Sequence, residues 1–290
     1  GILSLMRAEL RELWRFRELL WTMIERELRI RYKNSVLGFF WSLLNPLVTV
    51  LVMTVVFKYL IGNPTPNFSA YILAAYLPFM FFQFAILDSA QSVLVALPVV
   101  KKVYFPREIL PLATILSNFV HFLLALGVFF AYLLVIWVLN PGESPFNVTI
   151  AFLPGLLIIN LALAVGCGLL VSSLNTFYED IKYVVSVGLY LMFFLCPIMY
   201  FSENVRYSKQ LGESGDLIYT LYHFNPLAML STAYRKVLLD PQQVYVDGQL
   251  VEPLPLDWTW VGVSAGVSVL ILVGGYALFN RLKWKFVERP

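Results

Sequence analysis

Few residues in this chain have the type and setting to do chemistry. Asp88 is the only acid inside a long apolar stretch, and a carboxylate at membrane depth is a functional candidate by default, here as a proton carrier. The structural alternative is an aspartate bonded to Ser89, Gln91 or a neighbouring helix. His121 and His223 lie far apart, with no accompanying cluster of metal-ligand spacing. No G-x-x-x-x-G-K-[ST] phosphate loop, dinucleotide fingerprint or Ser/His/Asp arrangement is present. The segment Lys101-Lys102-Val103-Tyr104-Phe105-Pro106-Arg107-Glu108 mixes aromatics with charge, the composition of an interface core and its rim. It is either a loop whose lysines hold topology or a short helix whose Tyr104 and Phe105 plug a pocket on a partner protein. Catalysis within the subunit has little support, so any work the chain does draws its energy from elsewhere.

The elements that position these residues must be largely lipid-facing. Hydrophobic residues make up 59% of the chain and charged ones 13%, against roughly 45–50% and about 25% in soluble domains. That composition excludes intrinsic disorder, a disulfide-stapled secreted domain and a soluble nucleic-acid binder. Cys167 and Cys196 lie inside apolar runs and read as buried small hydrophobes.

A crossing helix needs about 20 apolar residues. Six stretches qualify, approximately Val36–Leu60, Tyr71–Val95, Leu110–Leu139, Ile150–Leu174, Ile181–Phe201 and Trp258–Arg281. Pro46, Pro78, Pro154 and Pro197 predict kinks in four of them. The charged N-terminus predicts no cleavable signal peptide. With both termini cytoplasmic, only Lys58, Arg206, Lys209, Arg235 and Lys236 of the 21 basic residues fall outside, as the positive-inside rule requires. A seventh apolar stretch, Leu217–Leu239, is broken at Asn225-Pro226; if it crossed, the tail with Arg281, Lys283, Lys285 and Arg289 would move outside. It therefore predicts a re-entrant helical hairpin at the outer face, which needs protein or a water-filled cavity around it.

Ahead of the first stretch, Met6, Leu10, Leu13, Leu20, Ile24 and Leu28 recur at helical spacing. This predicts an amphipathic helix in the headgroup region, the alternative being a helix packed on a cytoplasmic partner. Small residues at four-residue spacing, Ala164, Gly168 and Ser172, then Gly262 and Gly266, allow close helix approach within or between subunits. Aromatics are 16% of the chain and cluster in the first, second and fifth stretches. Most face lipid; a subset lining a passage would offer flat faces to sugar rings.

Beyond composition, Arg29-Ile30-Arg31-Tyr32-Lys33-Asn34-Ser35-Val36-Leu37-Gly38-Phe39-Phe40-Trp41, then Asn45-Pro46-Leu47, resembles the start of the permease subunits of ABC-2-type polysaccharide and polyol-phosphate exporters. The likeness continues through Phe105-Pro106-Arg107-Glu108, Asn175-Thr176-Phe177-Tyr178-Glu179-Asp180-Ile181 and Phe224-Asn225-Pro226, and covers nearly the whole chain. Tyr178 stands where a common family form has arginine. The resemblance implies an all-α integral membrane protein: an interfacial helix over 1–34, then a six-span domain over 35–290 with a coupling helix at about 99–109 and an outer re-entrant gate at about 217–239. It implies a homodimer in the bacterial cytoplasmic membrane, paired with two copies of a separate ATPase that holds the ATP and magnesium. The substrate class is a polyprenyl-pyrophosphate-linked O-antigen, capsule-type glycan or teichoic acid. No enzyme activity, bound cofactor or nucleic-acid partner is expected of this chain.

On that reading Lys101, Lys102, Tyr104, Phe105, Pro106, Arg107 and Glu108 dock on the ATPase, and Phe39, Phe40, Tyr190, Phe193 and Phe194 line the passage. Phe224, Asn225 and Pro226 belong to the gate, and Glu179, Asp180 and Lys182 to a cytoplasmic loop. Arg29, Arg31 and Lys33, with Tyr32 between them, sit at headgroup level; they either attract the pyrophosphate by charge-assisted bonds or serve as positive-inside anchors. The competing classes are a proton-coupled transporter using Asp88, a membrane glycosyltransferase or lipid-modifying enzyme, and an exporter of a smaller lipid or drug.

Overall fold

The computed structural model describes residues 2–33, 35–38, 40–139, 141–142 and 144–288. Phe39, Asn34 and Arg289, which figure in the readings above, lie outside them. The chain forms eleven α-helices among the described residues. Helices α1 (Ile2–Arg15) and α2 (Arg17–Tyr32) precede α3 (Phe40–Thr54), which continues as a π-helical turn over Val55–Leu60. Then come α4 (Phe68–Val100), α5 (Ile109–Leu139), α6 (Leu153–Phe177) and α7 (Ile181–Leu195). Helices α8 (Ser202–Tyr207), α9 (Ser214–Phe224) and α10 (Pro226–Leu238), with strands β1 (Val244–Val246) and β2 (Gln249–Val251), lead into α11 (Trp258–Leu282).

Four helical segments are long and apolar enough to cross a membrane: Phe68–Val100, Ile109–Leu139, Val148–Phe177 and Trp258–Phe286. The chain is an integral membrane protein. The other two expected spans form shorter helices. Pro197 explains the second case, because a residue before proline is pushed out of the helical region. Cys196 is accordingly extended (φ −82°, ψ 150°), and α7 stops at Leu195. Its 15 residues give only about 22 Å of helix.

Helix α4 is the central element, buried along most of its length and packed on α3, α5, α6, α7 and α10. Helices α6 and α11 cross so closely that a Cβ on Gly166 would lie 2.6 Å from the Leu272 nitrogen, and one on Gly275 would overlap the Gly166 carbonyl. The close approach expected at Gly262 and Gly266 is not there, since a Cβ at either would meet open space. Gly168 does face a neighbour, the Ile115 side chain of α5.

The leading amphipathic element is two helices, broken at Phe16 (φ −94°, ψ 17°). Leu13, Leu20, Ile24 and Leu28 of its apolar stripe are partly or fully buried, with α2 laid against α5. The side chains of Met6 and Leu10 lie outside the described set. Helix α1 ends up beside the end of α11. We call this the proximal end of the bundle and the opposite one distal.

At the distal end, α9 and α10 form a helical hairpin whose corner follows from two residues. The Asn225 side chain accepts a bond from the Leu227 amide (3.0 Å), and Pro226 takes the first helical position, where its missing N–H costs nothing. The ribbon that follows turns on Asp247-Gly248, both at positive φ, the requirement of a tight two-residue hairpin.

Candidate functional site

The polar residues of the apolar stretches converge on one place. Arg31, at the end of α2, donates to Asp88 Oδ2 of α4 (2.9 Å) and to Asn118 Oδ1 of α5 (3.0 Å). Asn118 Nδ2 donates back to Asp88 Oδ2 (2.9 Å) and to the Thr114 carbonyl (3.0 Å). The Tyr32 hydroxyl lies 2.5 and 2.8 Å from the two ring nitrogens of His121. These groups line a cavity of about 350 Å³ with Trp41, Asn45 and Pro46 of α3 and Phe81, Phe84 and Phe122 of α4 and α5. Asn118 escaped the sequence reading. A signal was there: Thr114, Asn118 and His121 repeat at helical spacing and so share one face of an otherwise apolar helix.

The geometry changes the reading of several residues. Asp88 is held by neighbouring helices, the structural alternative, and its charge is committed to Arg31. Arg29 is paired with Glu25 at 2.5 Å. Of the three cations assigned to a pyrophosphate, two therefore already face carboxylates within the chain, while Lys33 is exposed.

The 101–108 segment consists of turns linking α4 to α5 and is not a helix of its own. Pro106 supplies no amide for a helical bond, and the flanking side chains are drawn inward. Glu108 is 3% exposed and bonded to Lys283 (2.6 Å), which also pairs with Glu9 of α1 (3.2 Å). Arg107 donates to the Lys283 carbonyl and lies over the Trp284 ring. Burial holds the Arg107 guanidinium below its usual pKa, against the opposing pull of Glu108. Phe105 joins an apolar cluster with Val93, Leu110, Phe279 and Phe286, so it is a core residue and no free knob. Tyr104 remains on the surface, 68% exposed, its hydroxyl donating to Glu12 (2.8 Å) beside the exposed Lys101 and Lys102.

The aromatics divide in the same way. Tyr190 (62% exposed) and Phe194 (48%) share one open face of α7, ring centres 5.2 Å apart. Phe193 turns inward onto Tyr76 and Phe79, and Phe40 is exposed on α3. At the distal corner Phe224 packs edge-on against Trp260 (4.8 Å). Between α6 and α7, Glu179 and Asp180 are exposed, while Asn175 accepts the Lys182 amide (3.0 Å) and donates to the Ala90 carbonyl (2.9 Å).

Arg235 of α10, which sequence reasoning counted only as an outer charge, is buried. It donates to the carbonyls of Tyr71 (2.8 Å), Ile198 (2.6 Å) and Tyr200 (2.8 Å), and so ties α10 to the start of α4 and the end of the α7 region. Beside it Lys236 pairs with Glu203 (2.6 Å), which also accepts the Leu254 amide (3.0 Å).

Residues 18–239, most of this assembly, match the family described as ABC-2 type transporter. The chain belongs to that family. Among curated relatives, two O-antigen export system permease proteins RfbA of Klebsiella pneumoniae are similar to it. One is 27% identical over 271 residues, 93% of this chain and 94% of theirs; the other is 28% identical over 274 residues with the same coverage. An RfbA of Myxococcus xanthus is 27% identical over 278 residues, 96% of this chain and 97% of its own. The chain is thus an ABC-2 permease of the O-antigen export family, and a transport subunit is what this family provides.

Proposed function

We propose that this permease is the membrane half of an ATP-driven exporter of a glycan carried on a polyprenyl pyrophosphate. Two copies associate in the bacterial cytoplasmic membrane, termini inside, with two ATPase subunits that hold the ATP and magnesium. On this reading α3 and α7 with their flanking residues complete six crossings, and the α9–α10 hairpin sits at the outer face as a gate. The observation that carries the proposal is the likeness to O-antigen export permeases along 93–96% of the chain. The exposed apolar faces of α3 and α7 support a shared passage, because a helix that is open on one side has a surface left for a second copy. Tyr104, projecting at the proximal end amid Lys101 and Lys102, supports ATPase docking there. The ion pair to Arg31 gives Asp88 a structural task and weighs against a proton-coupled transporter.

The test is ATP-dependent transfer of a polyprenyl-pyrophosphate-linked glycan across vesicles holding the permease and the ATPase expressed with it. Transfer that follows nucleotide, and falls when Tyr104→Ala loosens the complex, supports the proposal. Transfer driven by a pH gradient without nucleotide, or none with an intact complex, overturns it.

A further inference from the structure

The cavity around Arg31, Asp88 and Asn118 has a composition that neither anchoring nor docking accounts for. Its charges cancel: the one guanidinium faces the one carboxylate at 2.9 Å and spends its other nitrogen on Asn118. A phosphate placed here would have to compete with Asp88 for the only cation, so the cavity is a poor anion site. A purely apolar ligand fits no better, since it would strip water from Asp88, whose side chain is 39% exposed and whose Oδ1 takes part in neither of these bonds.

What remains is a neutral molecule with hydroxyl groups on one side and a flat C–H face on the other. Trp41 and Phe84, both exposed on the cavity wall, supply rings for that face, while the Asp88 carboxylate and the Asn118 amide group supply acceptors for hydroxyl protons. At about 350 Å³ the space falls near the lower end of the roughly 300–1,000 Å³ usual for small-ligand pockets, room for a small ring system and not for a length of polymer. Asp88 and His121 each lie about 18 Å along their helices from the proximal ends at Val100 and Ile109. That depth is within the bundle, at the side where α2 meets it.

We propose that this cavity is a sugar subsite, which takes one neutral pyranose unit of the lipid-linked glycan and so distinguishes loaded from empty carrier lipid. The contacts read the sugar's hydroxyl pattern through Asp88 and Asn118 and its ring face through Trp41 and Phe84. A weak site suits a molecule that must let its cargo go: a few hydrogen bonds shared with water and one or two ring contacts hold a sugar briefly. Nothing covalent happens at the site. The proposal rests on the export reading above.

The test compares two probes on the full chain in lipid nanodiscs: undecaprenyl pyrophosphate carrying a neutral hexose disaccharide, and bare undecaprenyl pyrophosphate. Binding is read by native mass spectrometry for the parent protein, Phe84→Leu and Asp88→Asn. Phe84 is half open to the cavity, so its variant keeps the fold even if Asp88→Asn, which strands Arg31, does not. The expected result is a loss of about three- to tenfold in affinity for the sugar-bearing lipid in Phe84→Leu, with bare lipid bound as before. Equal losses for both probes, or none for either, overturn the subsite and leave the export reading standing. A parent protein that binds neither lipid overturns both.

Discussion

Single side chains carry much of the order at both ends of this molecule, and their costs are separable. Lys283 is nearly buried between Glu108 and Glu9, so one ammonium joins the end of α11, the α4–α5 turn and the leading helix. Replacing it with methionine keeps the stem but strands Glu108 among apolar neighbours. Removing one partner of a buried pair costs roughly 3–5 kcal/mol, so Lys283→Met is expected to lower the thermal midpoint sharply, and Glu108→Gln in the same chain to restore part of the loss. A midpoint unchanged in the single variant would show that the contact is idle. At the distal end Glu203 feels two opposed effects. Burial raises its pKa, but the Lys236 ammonium and the bonds from Lys236 and the Leu254 amide outweigh it, holding the carboxyl below its ordinary value of 4.5. A depressed pKa contributes stability that is present above the ordinary value and is lost as pH falls through the depressed one. The 244–254 ribbon is therefore expected to lose hydrogen-exchange protection only in strong acid, below about pH 4, and Glu203→Gln to show weak protection at neutral pH with little further change on acidification.

At the level of elements, the α6–α11 crossing is the tightest joint and depends on two missing side chains. Gly275→Leu would drive a branched side chain into the Gly166 backbone, where no flexible group can give way. It is expected to abolish a stable, monodisperse product in detergent, whereas Gly266→Ala, which meets open space, is expected to purify as the parent does. Stable Gly275→Leu protein would mean that the helices separate freely. The sequence alone pointed to Gly262 and Gly266 and missed this pair, because small-residue spacing says where a helix can be approached and not which neighbour approaches it. The long helices were legible, since an apolar run of 25 residues or more has few alternatives; α4 and α6 merely extend a few residues past their expected ends. The Asn225-Pro226 corner was legible too, capping residue and proline being local signals. Asp247-Gly248 carried an equally local hairpin signal, flanked by Val244, Val246 and Val251, that helix-dominated reading passed over. The polar cluster was legible only in fragments. Arg31 is 57 residues from Asp88 and 87 from Asn118, and each had to be read by itself as an anchor charge or a stray acid until packing brought α2 against α5.

For the whole molecule the open question is what the unpaired face of α7 meets. Along that face Tyr183, Val187, Tyr190 and Phe194 are all exposed while Leu189, on the opposite side, is buried against the bundle. A helix of this kind faces either lipid or a passage shared with a second copy. A polymer of many sugar units needs repeated weak contacts, because a tight site in mid-passage would hold each unit and stall the rest. Aromatic faces meet that need at about 0.5–1.5 kcal/mol for a favourable ring contact, by analogy with aromatic pairs. Charged walls would carry a desolvation cost at membrane depth. The double change Tyr190→Leu with Phe194→Leu keeps bulk and hydrophobicity while removing both rings, so the bundle loses no buried contact beyond their mutual edge. Complex yield and basal ATPase activity are then expected to match the parent, and glycan export in vesicles to fall by about tenfold, the factor that two lost ring contacts convert to. Unchanged export would assign these rings to lipid, and the conducting surface would have to be sought on the exposed face of α3, where Phe40, Trp41, Leu44 and Leu51 stand.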